Sequence, residues 1–127
     1  MRLAYVCFIA GASTGLAGMG LGLFMGIAQD FTLTPVHAHT NLLGFVVLML
    51  YGLYHRGAPR VGRLAWVQVA MAIVGVPLMA IGLALELTRP DMSGAFIGVI
   101  AGSLLIIAAL ALFLVGLVRD GFVRKVP

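Results

Sequence analysis

"LAWVQVAMAIVGVPLMAIGLALEL", residues 64 to 87, decides what kind of protein this is. Only Gln68 and Glu86 interrupt its apolar run, which matches the ~20 residues a helix needs to cross ~30 Å of hydrocarbon. Comparable stretches run from about Leu3 to Ala28, Val36 to Tyr54 and Ser93 to Val118. The whole chain follows suit: of 127 residues, 62% are hydrophobic and 9% charged, and the mean hydropathy of +1.15 lies far above that of soluble domains. Lipid offers backbone groups no hydrogen-bond partners, so only helices and closed barrels span it, and barrel strands would alternate rather than run continuously apolar. The expected fold is all-α: a polytopic membrane four-helix bundle with helices at about 3–28, 36–54, 64–87 and 93–118. The connections are too short for a further domain, so residues 1–127 form one unit.

The formal net charge of +4 is explained by position rather than by a nucleic-acid partner. Arg2, Arg56, Arg60, Arg63, Arg119, Arg124 and Lys125 fall on one side of the four-span arrangement and only Arg89 on the other. The positive-inside rule then predicts that both termini are cytoplasmic, as in a bacterial inner membrane, and that the Val36 helix starts at the outer face. A cleaved signal peptide is the competing reading of Met1-Arg2 and Ala10-Gly11-Ala12, but the apolar run continues to Ala28. Cys7 is the single cysteine, excluding an intrachain disulfide and pointing to packing.

Gly11, Gly15, Gly18, Gly22 and Gly26 form a smooth stripe on the first helix, and Gly94, Gly98 and Gly102 repeat the pattern on the fourth. Small residues at this spacing let helices approach closely in a solvent that supplies no hydrophobic drive between them; the sharper reading leaves room for a flat macrocycle or another subunit. Pro77, beside Gly75, predicts a kink in the third helix. Ionisable and strongly polar groups at membrane depth are expensive and draw attention to His37, His39, Asn41, Gln68 and Glu86, with Asp30 and His55 at the interfaces. Glu86 has Arg89 near it as an ion-pair partner, or serves a cofactor. Gln68 suits an interhelical hydrogen bond, and His55 beside Arg56 suits the headgroup level, about 24 Å along the helix from His39.

The remaining polar residues gather in "PVHAHTNLLGF", residues 35 to 45. Successive helical residues turn by about 100°, so His37 and His39 project roughly 200° apart and cannot chelate one metal from one helix. Asn41 lies one turn below His37, whereas Leu43, Val46 and Val47 continue the face of His39. Such imidazoles either cap the helix start in the headgroup region or act as axial ligands of haem iron beside an apolar wall.

"HTNLL", residues 39 to 43, followed by an apolar helix with Gly44, resembles the second transmembrane helix of the catalytic subunit of bacterial nitric oxide reductases, in the haem-copper oxidase superfamily. The histidine of that motif ligates a low-spin haem b, which carries over to His39. "HAH", residues 37 to 39, is similar to the H-x-H of the superfamily's tenth helix, whose histidines face two haems on the outer half of the membrane. The resemblance implies a cytoplasmic N-terminus and a ligand near the outer start of helix 2. In that superfamily twelve helices form three four-helix arcs, and this chain has one arc's worth. Its third helix contains no histidine, and the superfamily's active-site copper or non-haem iron needs a cluster of histidines from the middle arc, so the resemblance implies haem binding more than oxygen or nitric oxide reduction.

The expectation is therefore a haem b protein for electron transfer or haem handling, with His37 and His39 as metal-ligating residues, Asn41 beside them, and an unspecified redox partner. Helix 3 offers no second imidazole, so the other ligand is expected from a neighbouring copy: a homotrimer with one copy in place of each arc. The rivals are a minimal oxidoreductase acting on quinol, oxygen or nitric oxide, a cofactor-free assembly partner of a respiratory complex, and a copper site using histidine with methionine.

Overall fold

The computed structural model describes residues 1–58 and 62–123, with backbone alone at 122 and 123. Of the basic residues used for orientation, Arg60, Arg124 and Lys125 lie outside the described residues. Four helices follow one another: α1 (Arg2–Ala28), α2 (Thr34–Gly57), α3 (Arg63–Thr88) and α4 (Ala95–Val123). All four are long and apolar enough to cross a membrane, the build of a multi-pass membrane protein, and the described residues contain no strand.

The ends depart from the hydropathy limits for identifiable reasons. α1 stops where Gln29 adopts a left-handed conformation at φ 52° and its amide bonds back to Met25. α2 starts two residues early because Pro35 stands in its first turn, where a missing N–H costs nothing. Gly94, at φ 114°, forms the turn before α4, so this glycine belongs to the connection and not to a packing stripe. α4 then runs past Val118 because Arg119 and Asp120 end the apolar stretch without ending the helix.

Two hairpins make the bundle. In the first, the α1 glycines receive side chains of α2 one after another: Leu48 and Met49 face Gly11, Phe45 faces Gly15, Asn41 faces Gly18 and His37 faces Gly22. Gly26 has nothing within 4 Å of where a Cβ would stand, so the stripe works only as far as Gly22. In the second hairpin the backbones themselves touch. A Cβ on Gly102 would meet the Met79 amide nitrogen at 2.4 Å, and one on Gly82 would meet the Val99 nitrogen at 2.7 Å. α3 remains one continuous helix through Pro77. The hairpins join along α2 and α3, with Gly44 against Val76, and share a core of Leu3, Cys7, Leu48, Tyr51, Val69, Ala72 and Ala109. That core lies toward the end carrying Arg2, Arg56, Arg63 and Arg119. The opposite end, with the histidine pair, is held by the α1 glycine contacts with α2 and by the close approach of α3 and α4 at Gly82.

α2 is not a uniform α-helix. Thr40–Val46 forms a π-helical segment between α-helical Thr34–His39 and Val47–Gly57. Such segments accommodate an extra residue and rotate everything below relative to everything above. The faces assigned to Leu43, Val46 and Val47 on a regular helix are correspondingly altered: Leu42 and Val46 are exposed, while Leu43 and Val47 are half-buried.

Candidate functional site

The first turns of α2 present both histidines in the same chemical form on different surroundings. His37 turns toward α1, where its Nδ1 stands 2.7 Å from the carbonyl oxygen of Gly18. A carbonyl can only accept, so Nδ1 carries the proton and Nε2 keeps the lone pair. The approach depends on glycine: a Cβ at residue 22 would stand 2.7 Å from His37 Cε1, and one at residue 18 would stand 2.5 Å from Asn41 Nδ2. Asn41 donates through Nδ2 to the His37 carbonyl at 2.9 Å, closing the notch one turn below. Its 3.3 Å approach to His37 Nδ1 joins two N–H groups and is contact, not a second bond.

His39 points away from α1 and is exposed. Its Nδ1 lies 2.7 Å from the carbonyl oxygen of Pro35, one turn earlier on the same helix, which again fixes the proton on Nδ1. Nε2 of each histidine makes no hydrogen bond among the described residues. An Nδ1–H tied to a backbone carbonyl with Nε2 left as lone-pair donor is the form in which imidazole ligates metals. Leu42 and Val46, exposed on the same stretch of α2, supply an apolar surface. No group of three or more histidine, cysteine, aspartate or glutamate side chains comes together among the described residues, so a metal held wholly by such protein ligands has no cage there.

The expected residues thus separate into two kinds. His37 and Asn41 fill the glycine notch between helices, so that space is not open to a macrocycle, whereas His39 stands outside it. Glu86 is exposed and forms no ion pair with Arg89 among the described residues. Asp30 stays in the α1–α2 connection, where the hydroxyl and amide of Thr32 donate to its Oδ1 at 2.6 and 3.0 Å; these bonds hold its carboxyl below the ordinary value of 3.8.

His55 is not headgroup punctuation. It is 6% exposed, and its Nε2 donates to Oε1 of Gln68 on α3 at 3.1 Å. Gln68, 1% exposed, makes the interhelical bond its position predicted, yet its Nε2 has no partner. Beside this pair, Phe113 of α4 packs at a tilt against Tyr51 and edge-on against Tyr54, at centroid distances of 4.6 and 5.0 Å, and the Tyr54 hydroxyl donates to Asp120. The signal was present in the sequence: His55 continues the face of Leu48, Tyr51 and Gly52 at helical spacing. The Tyr54–Asp120 contact had no sequence signal, since it links residues far apart in the chain. Comparisons with protein-family models, curated proteins and solved structures returned no match.

Proposed function

We propose that this chain is a haem b-binding protein of the bacterial inner membrane, acting in electron transfer or haem handling, with His39 as the axial ligand. The observation that carries the reading is the state of His39: exposed, proton fixed on Nδ1 by the Pro35 carbonyl, and Nε2 open above an apolar surface. A bound haem would supply a one-electron iron couple. The chain's contribution is to orient the imidazole through Pro35 and to exclude water with Leu42 and Val46.

His37 on the same helix faces α1 and His55 is bonded to Gln68 at the other end, so His39 has no histidine partner within its own chain. We assign the second ligand to His37 of a neighbouring copy in a homotrimer, with both termini cytoplasmic. Arg2, Arg56, Arg63 and Arg119 at one end of the bundle and Arg89 at the other support that orientation. One observation favours a second reading: His37 is half-buried against Gly22, and a site with His39 alone on the iron would leave a position for a small substrate, as in a minimal oxidoreductase.

The visible spectrum of the purified protein tests the proposal. A sharp reduced α band of b type is expected for two imidazoles, and a high-spin spectrum would move the assignment to the oxidoreductase. Protein that takes up no haem when expressed with ample haem supply would overturn it in favour of copper or a cofactor-free partner role.

A further inference from the structure

At the end of the bundle opposite the histidine pair, a cavity of about 130 Å³ opens between the last turns of α2 and α4 and the first turns of α3. Its size is close to that of apolar cavities that accept one benzene ring, about 150 Å³. Leu64, Ala65, Leu112 and Phe113 give it apolar walls, while His55, Gln68, Arg119 and Asp120 bring polar groups to it.

His55 defines what such a ring must carry. Its Nε2–H is committed to Gln68 Oε1, so Nδ1 holds a lone pair, and this nitrogen makes no hydrogen bond among the described residues. The ring is buried but Nδ1 is accessible from the cavity, where an O–H or N–H donor of an occupant can meet its lone pair. Arg119 and Asp120 offer a donor and an acceptor to a second oxygen on the ring. The carboxylate of Asp120 opposes an anion, and Arg119 is the one arginine lining the cavity among the described residues, which argues against a phosphate headgroup. The level is also telling: Arg56, Arg63 and Arg119 mark this end of the helices, where a ring on an apolar tail would sit with its tail in lipid.

We propose that this cavity binds the ring of a membrane quinol, with a ring hydroxyl donating to His55 Nδ1. The site stands apart from His39, and it neither requires nor excludes a haem at the other end. It is a binding site, with no electron transfer assigned to it.

Gly116 allows the cavity to be filled without disturbing the fold, because it lines the cavity and a Cβ there meets nothing within 4 Å. Trp66, the only tryptophan, lies one residue from Ala65 and within a turn of Gln68, and it reports on ring binding through fluorescence quenching. Full-length protein in lipid nanodiscs is titrated with a short-tailed benzoquinol, comparing wild type, Gly116→Leu and a control, Gly20→Leu, whose added side chain also starts in open space. Saturable quenching is expected in wild type and Gly20→Leu, with at least a tenfold weaker midpoint in Gly116→Leu. Purely linear quenching in wild type, as from partition into lipid, would overturn the proposal, and so would an unchanged midpoint in a folded Gly116→Leu protein. Should Gly116→Leu fail to fold, acylation of wild-type histidines by diethylpyrocarbonate decides: the quinol must protect His55, and equal labelling of His55 with and without quinol refutes the site. Neither readout involves haem, so failure here leaves the His39 assignment standing, and the reverse holds.

Discussion

His55 and His39 stand on the same helix and illustrate opposite uses of an imidazole. His55 is buried in the core and bonded to Gln68, whereas His39 is exposed and bonded only within its own turn. Replacing His55 with Ala would leave Gln68 Oε1 without its donor and enlarge the cavity, so a loss of about 1–3 kcal/mol is expected, read as a lower midpoint of thermal unfolding in detergent. The same change at His39 breaks only the bond to Pro35 and is expected to leave the midpoint nearly unchanged. Glycines divide in a parallel way. Gly18→Ala drives a Cβ to 2.5 Å from Asn41 and should cost about 1–3 kcal/mol, while Gly26→Ala meets open space and should be neutral or mildly stabilising by the same unfolding measurement. Asp30 gives a pH prediction. Its carboxyl lies below 3.8 when folded, so the associated stabilisation is present above 3.8 and is lost as pH falls through the lower folded value. Thr32→Ala removes the larger cause and should raise the Asp30 midpoint toward 3.8 in a carboxyl-carbon NMR titration. At this scale the sequence singled out Gln68 for an interhelical bond but did not name its partner and passed over Asp120: nothing local distinguishes a histidine that bonds Gln68 across a helix interface from one at the headgroup level.

Hydropathy located all four helices, because a spanning run must be long and apolar whatever it packs against, and the errors lie at ends fixed by backbone geometry, such as the Gly94 turn. The π segment Thr40–Val46 had no such signature. Within it Gly44 seats between Thr14 of α1 and Val76 of α3, a packing of three helices that local sequence does not record. The glycine spacing on α1 correctly announced a close contact, but spacing alone does not say whether a residue, a macrocycle or another subunit fills the groove; Phe45, Asn41 and His37 fill it here. α3 and α4 make the sharper test of glycine packing. Gly102→Ala would place a Cβ 2.4 Å from the Met79 nitrogen, a backbone atom that cannot swing aside, whereas Gly98→Ala would meet nothing closer than the Gly82 Cα at 3.5 Å. Loss of about 1–3 kcal/mol is expected for the first and little change for the second, measured by unfolding of the purified variants.

The molecule as a whole is unevenly built. Its shared core lies toward the basic end, while α4 presents Phe96, Ile97, Ile100, Leu104, Ile107, Leu110 and Leu114 outward, more apolar surface than a neighbouring helix of the same chain covers. Within a bilayer that surface meets lipid or further copies. Three copies arranged head to tail close on themselves, and a closed ring is the usual end of such an interface. Native mass spectrometry from mild detergent should count three chains and three haems. A haem-loaded monomer would refute the shared ligation, and a haem-free trimer would keep the symmetry while removing its chemical reason. The assignment of His39 to iron is tested most directly by chemical rescue. His39→Gly removes an exposed imidazole whose only bond lies in its own turn, so the fold survives and only the ligand is lost. The haem-loaded wild type should show a reduced b-type α band that is absent from His39→Gly and restored by free imidazole. An undiminished band in His39→Gly without imidazole would contradict the account.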